Sequence, residues 1–227
     1  ANDKSIYAFV FGRLVNNSSN LLHFITNTVT IKALLYDLRS MRDLEAKIAV
    51  LFPGTGYNKN RPLLYIARKL CEHKDYKVKA LDYTDMPAVQ RGNREALLKC
   101  FSMALSQSEE QLKFIDFSLY DDIVFISKSV GTVAASIYAK KYSLNVRHIY
   151  FTPLEQTFSF AEENSGIVFN GGNDAWVHPD FVLAACEDMK LKRITIEDVG
   201  HSLENDDPFV FMDDLRHIME EVDAVLR

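Results

Sequence analysis

No cysteine pair in the 227-residue chain has C-x-x-C spacing, and the three cysteines present, Cys71, Cys100 and Cys186, are widely separated. An odd, scattered set argues against a disulfide framework or a zinc site and fits reduced thiols in a cytoplasmic protein. No apolar stretch approaches the roughly 20 residues needed to span a bilayer as a helix. The N-terminus, with Asp3 and Lys4 before a short apolar run and no small-residue cleavage pattern, reads as having no signal peptide. Lys and Arg never collect into a basic stripe and the formal net charge is -5, so neither a nucleic-acid backbone nor an anionic membrane is an expected partner. Internal repeats, low-complexity tracts and long linkers are missing as well, and the expectation is a single domain over residues 1–227.

What the chain does have is an ordinary globular composition, 48% hydrophobic and 25% charged, at a length that can enclose one large core. From residue 47 onward, β-branched apolar runs alternate with longer stretches of helical spacing. Strands are expected at 47–54 (KIAVLFPG), 76–83, 121–127 (DDIVFIS), 146–154, 166–174 and 191–200. Helices are expected from 61 to 73, where Pro62 suits a first turn, from 93 to 115 as one long helix or two short ones, up to about Tyr142, near 179–190, and from Pro208 onward. Nearly continuous apolar strands separated by helices define an α/β class: a doubly wound, mostly parallel sheet with helices on both faces. Residues 1–46 are less regular and read as edge strands around the polar turn NNSSN.

The stretch VFISKSVGTVAAS, residues 124–136, hands a buried strand to an alanine-rich helix through a knot of small polar residues. Ser129 has Ser127 two places before it and Gly131 two places after it. Taken as the centre instead, Ser127 would be flanked by Phe125, which is too large for so tight a turn, so Ser129 is the better nucleophile candidate. Either serine would also serve as a simple helix N-cap. A serine hydroxyl needs a base, and the base an orienting acid. Asp174 in FNGGNDAWV and His201 in EDVGHSLEND each stand just past a later strand, on the same edge of the expected sheet as Ser129.

This small-x-Ser-x-Gly knot resembles the nucleophile elbow of the α/β-hydrolase family, with Ser127 where that family has its first glycine, and the order Ser129, Asp174, His201 is similar to the family's triad order. The resemblance covers residues 47–227. It implies a serine hydrolase acting on a small ester, thioester or related acyl substrate, with Ser129 as nucleophile, His201 as base, Asp174 as acid, and no metal or organic cofactor. Glu155, in FTPLEQ after the preceding strand, is the alternative acid.

The resemblance also makes Pro53-Gly54-Thr55-Gly56-Tyr57 look like the family's oxyanion loop, with Pro53 in place of histidine, and implies Val130 and Thr55 N–H as oxyanion donors. That segment lacks the G-x-x-x-x-G-K-[ST] spacing of a phosphate-binding loop. Gly54, Gly56, Tyr57, Lys128 and Trp176 are the expected substrate-binding residues, with Phe158 and Phe160 as further candidates for an apolar wall. Lys128 would attract an anionic substrate or else stand solvated at the helix start. Only the ten residues EQTFSFAEEN fill the gap where many relatives insert a helical cap, so the site should be small and open. Two rivals remain: an α/β-hydrolase scaffold that binds a small molecule or protein without turnover, and metal-dependent hydrolysis through His178, Asp180 and His201.

Overall fold

Six strands join into one sheet: β1 (Lys47–Phe52), β2 (Lys77–Ala80), β3 (Asp122–Lys128), β4 (Arg147–Phe151), β5 (Gly166–Gly171) and β6 (Lys192–Ile196). Their order is β2-β1-β3-β4-β5-β6, and every adjacent pair is parallel. The computed structural model describes residues 46–226. The edge strands expected over residues 1–46 therefore lie outside the described residues, except for residue 46, which is not in a strand.

Among the described residues five helices cover the sheet: α1 (Pro62–His73), α2 (Arg94–Leu112), α3 (Val130–Lys141), α4 (Pro179–Asp188) and α5 (Pro208–Val225). Strand alternation explains the two layers. Ile48, Val50 and Phe52 of β1 point into a core closed by α2, α3 and α4, where Phe101, Val133, Tyr138 and Val182 are buried. Ala49 and Leu51 point the other way, against Leu63 and Ala67 of α1 and Ile218 and Val222 of α5. Every residue of β3 is buried, as a central strand with helices on both faces requires.

The connections follow from those layers. The chain leaves β1 through α1 on one face to reach β2, then returns through α2 on the opposite face to β3, and runs outward from there. The direction of winding thus reverses between β1 and β3, whose C-terminal ends part to leave a crevice. Pro53 follows one of those ends and Ser129 the other.

Residues 93–115 form one helix rather than two, N-capped by the Asn93 side chain, which accepts from Ala96 N–H at 3.0 Å. β2 is shorter than expected. Beyond Leu81, whose N–H still donates to Leu51 O, two glutamines of α2 take over the main chain. Gln111 bonds both N–H and O of Asp82, and Gln107 both N–H and O of Thr84, so residues 82–84 are drawn off the sheet onto the helix. Between β4 and β5 the described chain makes only a short 3₁₀ turn, Glu155–Ser159, so no cap domain occupies that gap. Among the described residues no helix is long and apolar enough to cross a membrane.

His148 lies inside the core on β4, stacked on Tyr150 with ring centres 4.8 Å apart and edge-on to Phe125 at 5.7 Å. Its Nδ1 has no hydrogen-bond partner among the described residues, and burial alone holds its pKa down at about 3. The unfolded chain takes up this proton near the ordinary histidine value of about 6.5, so stability is full above that pH and falls steadily below it. His148→Phe should remove about 2 kcal/mol of the stability lost between roughly pH 6.5 and pH 5, as read from urea unfolding at both values.

Candidate active site

At the end of β3 the chain turns through Ser129, whose backbone angles of φ 53° and ψ -120° are ones an L-residue rarely adopts, and enters α3 at Val130. The turn is held from several sides. Ser129 N–H donates to Phe151 O at 3.1 Å, and Ser129 O accepts from Thr132 N–H at 2.9 Å and Thr132 Oγ1 at 2.6 Å. Gly131 packs the first turn of α3 directly on the main chain that follows β1: a Cβ there would sit 2.3 Å from Phe52 O and 2.4 Å from Pro53 O. Ser127, fully buried, fits at the other tight position with its hydroxyl 3.4 Å from Ile149 O.

Neither serine caps α3. Ser129 stands at the N-cap position but makes no side-chain cap bond. Its Oγ lies 2.8 Å from His201 Nε2, and His201 Nδ1 lies 2.8 Å from Asp174 Oδ2. Asp174 Oδ1 accepts from Trp176 N–H at 2.7 Å and Val177 N–H at 3.4 Å, which fixes the carboxylate from behind. Glu155, the alternative acid, is exposed in the 3₁₀ turn; the carboxylate on His201 is that of Asp174.

The electrostatics set the tautomer. Burial works to raise the Asp174 pKa, but the bond from His201, its charge and the two main-chain N–H groups outweigh burial and hold the carboxyl below its ordinary value. An ionised carboxylate only accepts, so Nδ1 carries the hydrogen, Nε2 offers its lone pair, and Ser129 O–H donates to it. Burial lowers the His201 pKa, Asp174 opposes this and the nearby Lys128 charge adds to it, with a net fall. The imidazole is therefore neutral near pH 7 and able to accept a proton.

The acid and base loops are tied through their main chains. Asn173 N–H donates to Val199 O at 2.9 Å and Gly172 N–H to Ile196 O at 2.8 Å. A Cβ on Gly171 would stand 2.4 Å from Val199 O and 2.5 Å from Gly200 O. The Trp176 ring then covers the His201 imidazole at 5.7 Å.

A cleft of about 340 Å³ opens over these groups, with Ser129, His201, Val130, Lys128, Trp176 and the loop Gly54–Tyr57 on its walls. Gly54, Gly56, Tyr57, Lys128 and Trp176 all line it, while Asp174 lies behind His201. Thr55 and Gly56 are exposed in the loop, which is closed by Gly54 N–H bonding Tyr57 O at 3.0 Å. The N–H groups of Thr55 and Val130 have no acceptor among the described residues. Val130 stands in the first turn of α3, where no intrahelical acceptor exists.

Three expectations need correcting. Phe158 and Phe160 are not in the cleft: Phe158 packs on Phe181 with ring centres 6.0 Å apart, and Phe160 lies near Lys140. Val89, Leu97 and Leu154 supply the apolar wall instead. Leu154, just past β4 at the crevice edge, was readable from its position; Val89 comes from the detour after β2 and Leu97 from the first turn of α2, and neither carries a local signal. Lys128 is not a solvated helix-start residue but a buried member of β3, 1% exposed. His178 caps α4, accepting from Asp180 N–H at 3.2 Å, and among the described residues no group of three or more His, Cys, Asp or Glu side chains is arranged to hold a metal.

No family model matches the sequence, and no curated protein matches it. Solved structures do. An alpha-beta serine hydrolase homologue from Coxiella burnetii superposes with a TM-score of 0.58 at 14% identity, covering 80% of this chain and 85% of its own. A serine hydrolase without lid from Xanthomonas campestris gives 0.53 at 14% identity, covering 82% and 84%. Esterase 2 of Thermogutta terrifontis, phosphorylated by paraoxon, gives 0.51 at 16% identity, covering 78% and 81%. Likeness at such identities is a likeness of fold, and the fold of this chain is that of the α/β hydrolases.

Because a Cβ at residue 131 meets main-chain carbonyls that have nowhere to retreat, Gly131→Ala should cost about 1–3 kcal/mol of unfolding free energy in a urea titration. Gly56→Ala, whose Cβ meets nothing within 4 Å, should change it by less than about 0.5 kcal/mol.

Proposed function

We propose that this chain is a serine hydrolase that cleaves a small ester, thioester or related acyl substrate through an acyl-enzyme on Ser129. One observation carries the reading: Ser129 Oγ, both ring nitrogens of His201 and the Asp174 carboxylate form an unbroken line with 2.8 Å at each contact. A serine merely capping a helix has no need of that line, nor of a backbone held at φ 53°.

In this mechanism Ser129 attacks the acyl carbonyl while His201 Nε2 takes its proton; the imidazolium so formed is stabilised by Asp174 and then delivers the proton to the leaving group. Negative charge developing on the carbonyl oxygen is met by the N–H groups of Val130 and Thr55, two donors with no competing acceptor among the described residues. Water activated by the same His201 releases the acyl group. No metal or organic cofactor enters the reaction.

The size and openness of the cleft favour a short acyl chain. Gly54, Gly56 and Tyr57 would flank the scissile bond, with Trp176 against the apolar part of the substrate. A second hollow of about 530 Å³ adjoins the first and shares Val89, Leu97, Leu154 and Trp176 with it, which leaves room for a leaving group. The three free, buried cysteines fit a reducing compartment, and the cytoplasm is the location we assign. The names of the structural neighbours, serine hydrolases and an esterase, support the same chemistry.

Short-chain p-nitrophenyl esters should be turned over by the wild type, and Ser129→Ala should lower kcat by at least about 10³-fold. In parallel, a fluorophosphonate should leave one adduct, located by mass spectrometry on the peptide containing Ser129. An intact protein that neither labels nor hydrolyses any ester of the panel is a binding scaffold, and the hydrolase reading fails.

A further inference from the structure

Lys128 immediately precedes the nucleophile, is 1% exposed, and has no carboxylate within salt-bridge distance among the described residues. A buried cation without a direct counter-ion is costly, and positions that break such rules concentrate where a protein does chemistry. Its Nζ donates to Thr152 Oγ1 and to the main-chain carbonyl of His201. Thr152 Oγ1 passes its own hydrogen to the same carbonyl at 3.1 Å. The base loop is thus held by two donors, one from the end of β3 and one from the residue after β4, and the Tyr57 ring closes over the ammonium at 5.2 Å.

We infer that Lys128 is a positioning residue for His201: from the strand that delivers the nucleophile it pins the main chain of the base, and its charge offsets that of Asp174 at the imidazole. The charged and titratable groups facing it are Tyr57 from the loop after β1, Asp174 from the loop after β5, and His201 and Glu204 from the segment after β6. Arg61, at the start of α1, lies over Tyr57 at 5.4 Å and pairs with Glu204 at 3.5 Å. Burial pushes the Lys128 amine down to about 7, with Asp174 and Glu204 resisting. Burial does most to keep the His201 ring neutral; Asp174 draws a proton towards it, and the Lys128 ammonium adds to burial in opposing that pull.

The catalytic consequence rests on the hydrolase reading, whereas the coupling to His201 does not. Lys128→Met keeps the length of the side chain, removes its charge and its donors, and leaves the Thr152 hydroxyl on the His201 carbonyl. Histidine NMR titration, which works with or without turnover, should show the His201 pKa rising in this variant. On the best ester, kcat should fall on the order of 10- to 10²-fold with KM little changed, and the acid limb of kcat/KM should move to higher pH. The urea midpoint should be no lower than that of the wild type, because a buried unpaired cation has been removed.

Lys128→Gln, which restores a donor without the charge, should regain part of kcat but keep the raised His201 pKa. An unchanged His201 titration in either variant overturns the charge coupling. A kcat loss that tracks a lowered urea midpoint, with no partial rescue by glutamine, makes Lys128 a structural lysine only and overturns the positioning role. If the wild type neither labels nor turns over, the hydrolase reading has failed, and the titration alone decides whether Lys128 governs His201.

Discussion

The contact on which this molecule turns is the one at Gly131, where the first turn of α3 rests on the carbonyls of Phe52 and Pro53 with no side chain between them. It sets how closely α3 approaches the sheet, and so how sharply the chain must bend at Ser129 to get from β3 into the helix. Because the carbonyls belong to the end of β1, the same contact fixes the start of the loop bearing Thr55. Ser129, the helix N-terminus and the loop are therefore parts of one packing arrangement. The left-handed backbone at Ser129 persists because its N–H, its carbonyl and its helix are each held by neighbours.

The ladder of elements was legible because the central strands are buried on both faces, so that IAVLF and IVFI show as short continuous apolar runs between longer stretches of helical spacing. The small residues at 127, 129 and 131 were legible for a steric reason that needs no neighbours to be known. Strand ends were less so. Glutamines 25 or so residues further along the chain pull residues 82–84 off the sheet, and nothing local to LDYT records that pull. Val89 reaches the cleft through the same detour, and Leu97 through the helix that follows it, and both were invisible for the same reason. Lys128 was misread because a lysine next to a helix start is ordinarily solvated, and its burial depends on a carbonyl 73 residues away. Asp174 and Glu155 could be ranked from the sequence but separated only by the bond to His201.

The charges around His201 form a closed set. Asp174 is anionic, Lys128 is held close to its point of neutrality by burial, and Glu204 is paired with Arg61 at the rim. Burial lowers the basicity of the imidazole most, and a carboxylate that favours its protonation and a buried amine that disfavours it adjust the rest. A surface histidine would sense the bulk solution far more than this one does.

Residues 82–93 are tied to the rest of the cleft more sparsely than its other walls are. The loops bearing Asp174 and His201 are bound main chain to main chain, and the turn at Ser129 joins them through the side chains of Lys128, Ser129 and His201, so a change of length in any of them would be felt in all three. The detour after β2 is attached through glutamine side chains at its start and through Arg91, which donates to Ala175 O at 2.8 Å, near its end, and it contributes Val89 to the cleft and Arg91 to the adjoining hollow. Inheritance can therefore act on two parts of this protein at different rates: the line of Ser129, His201 and Asp174, frozen by its own interlocking, and a neighbouring segment held by a few side-chain bonds, where sequence change would reshape the cleft without disturbing that line.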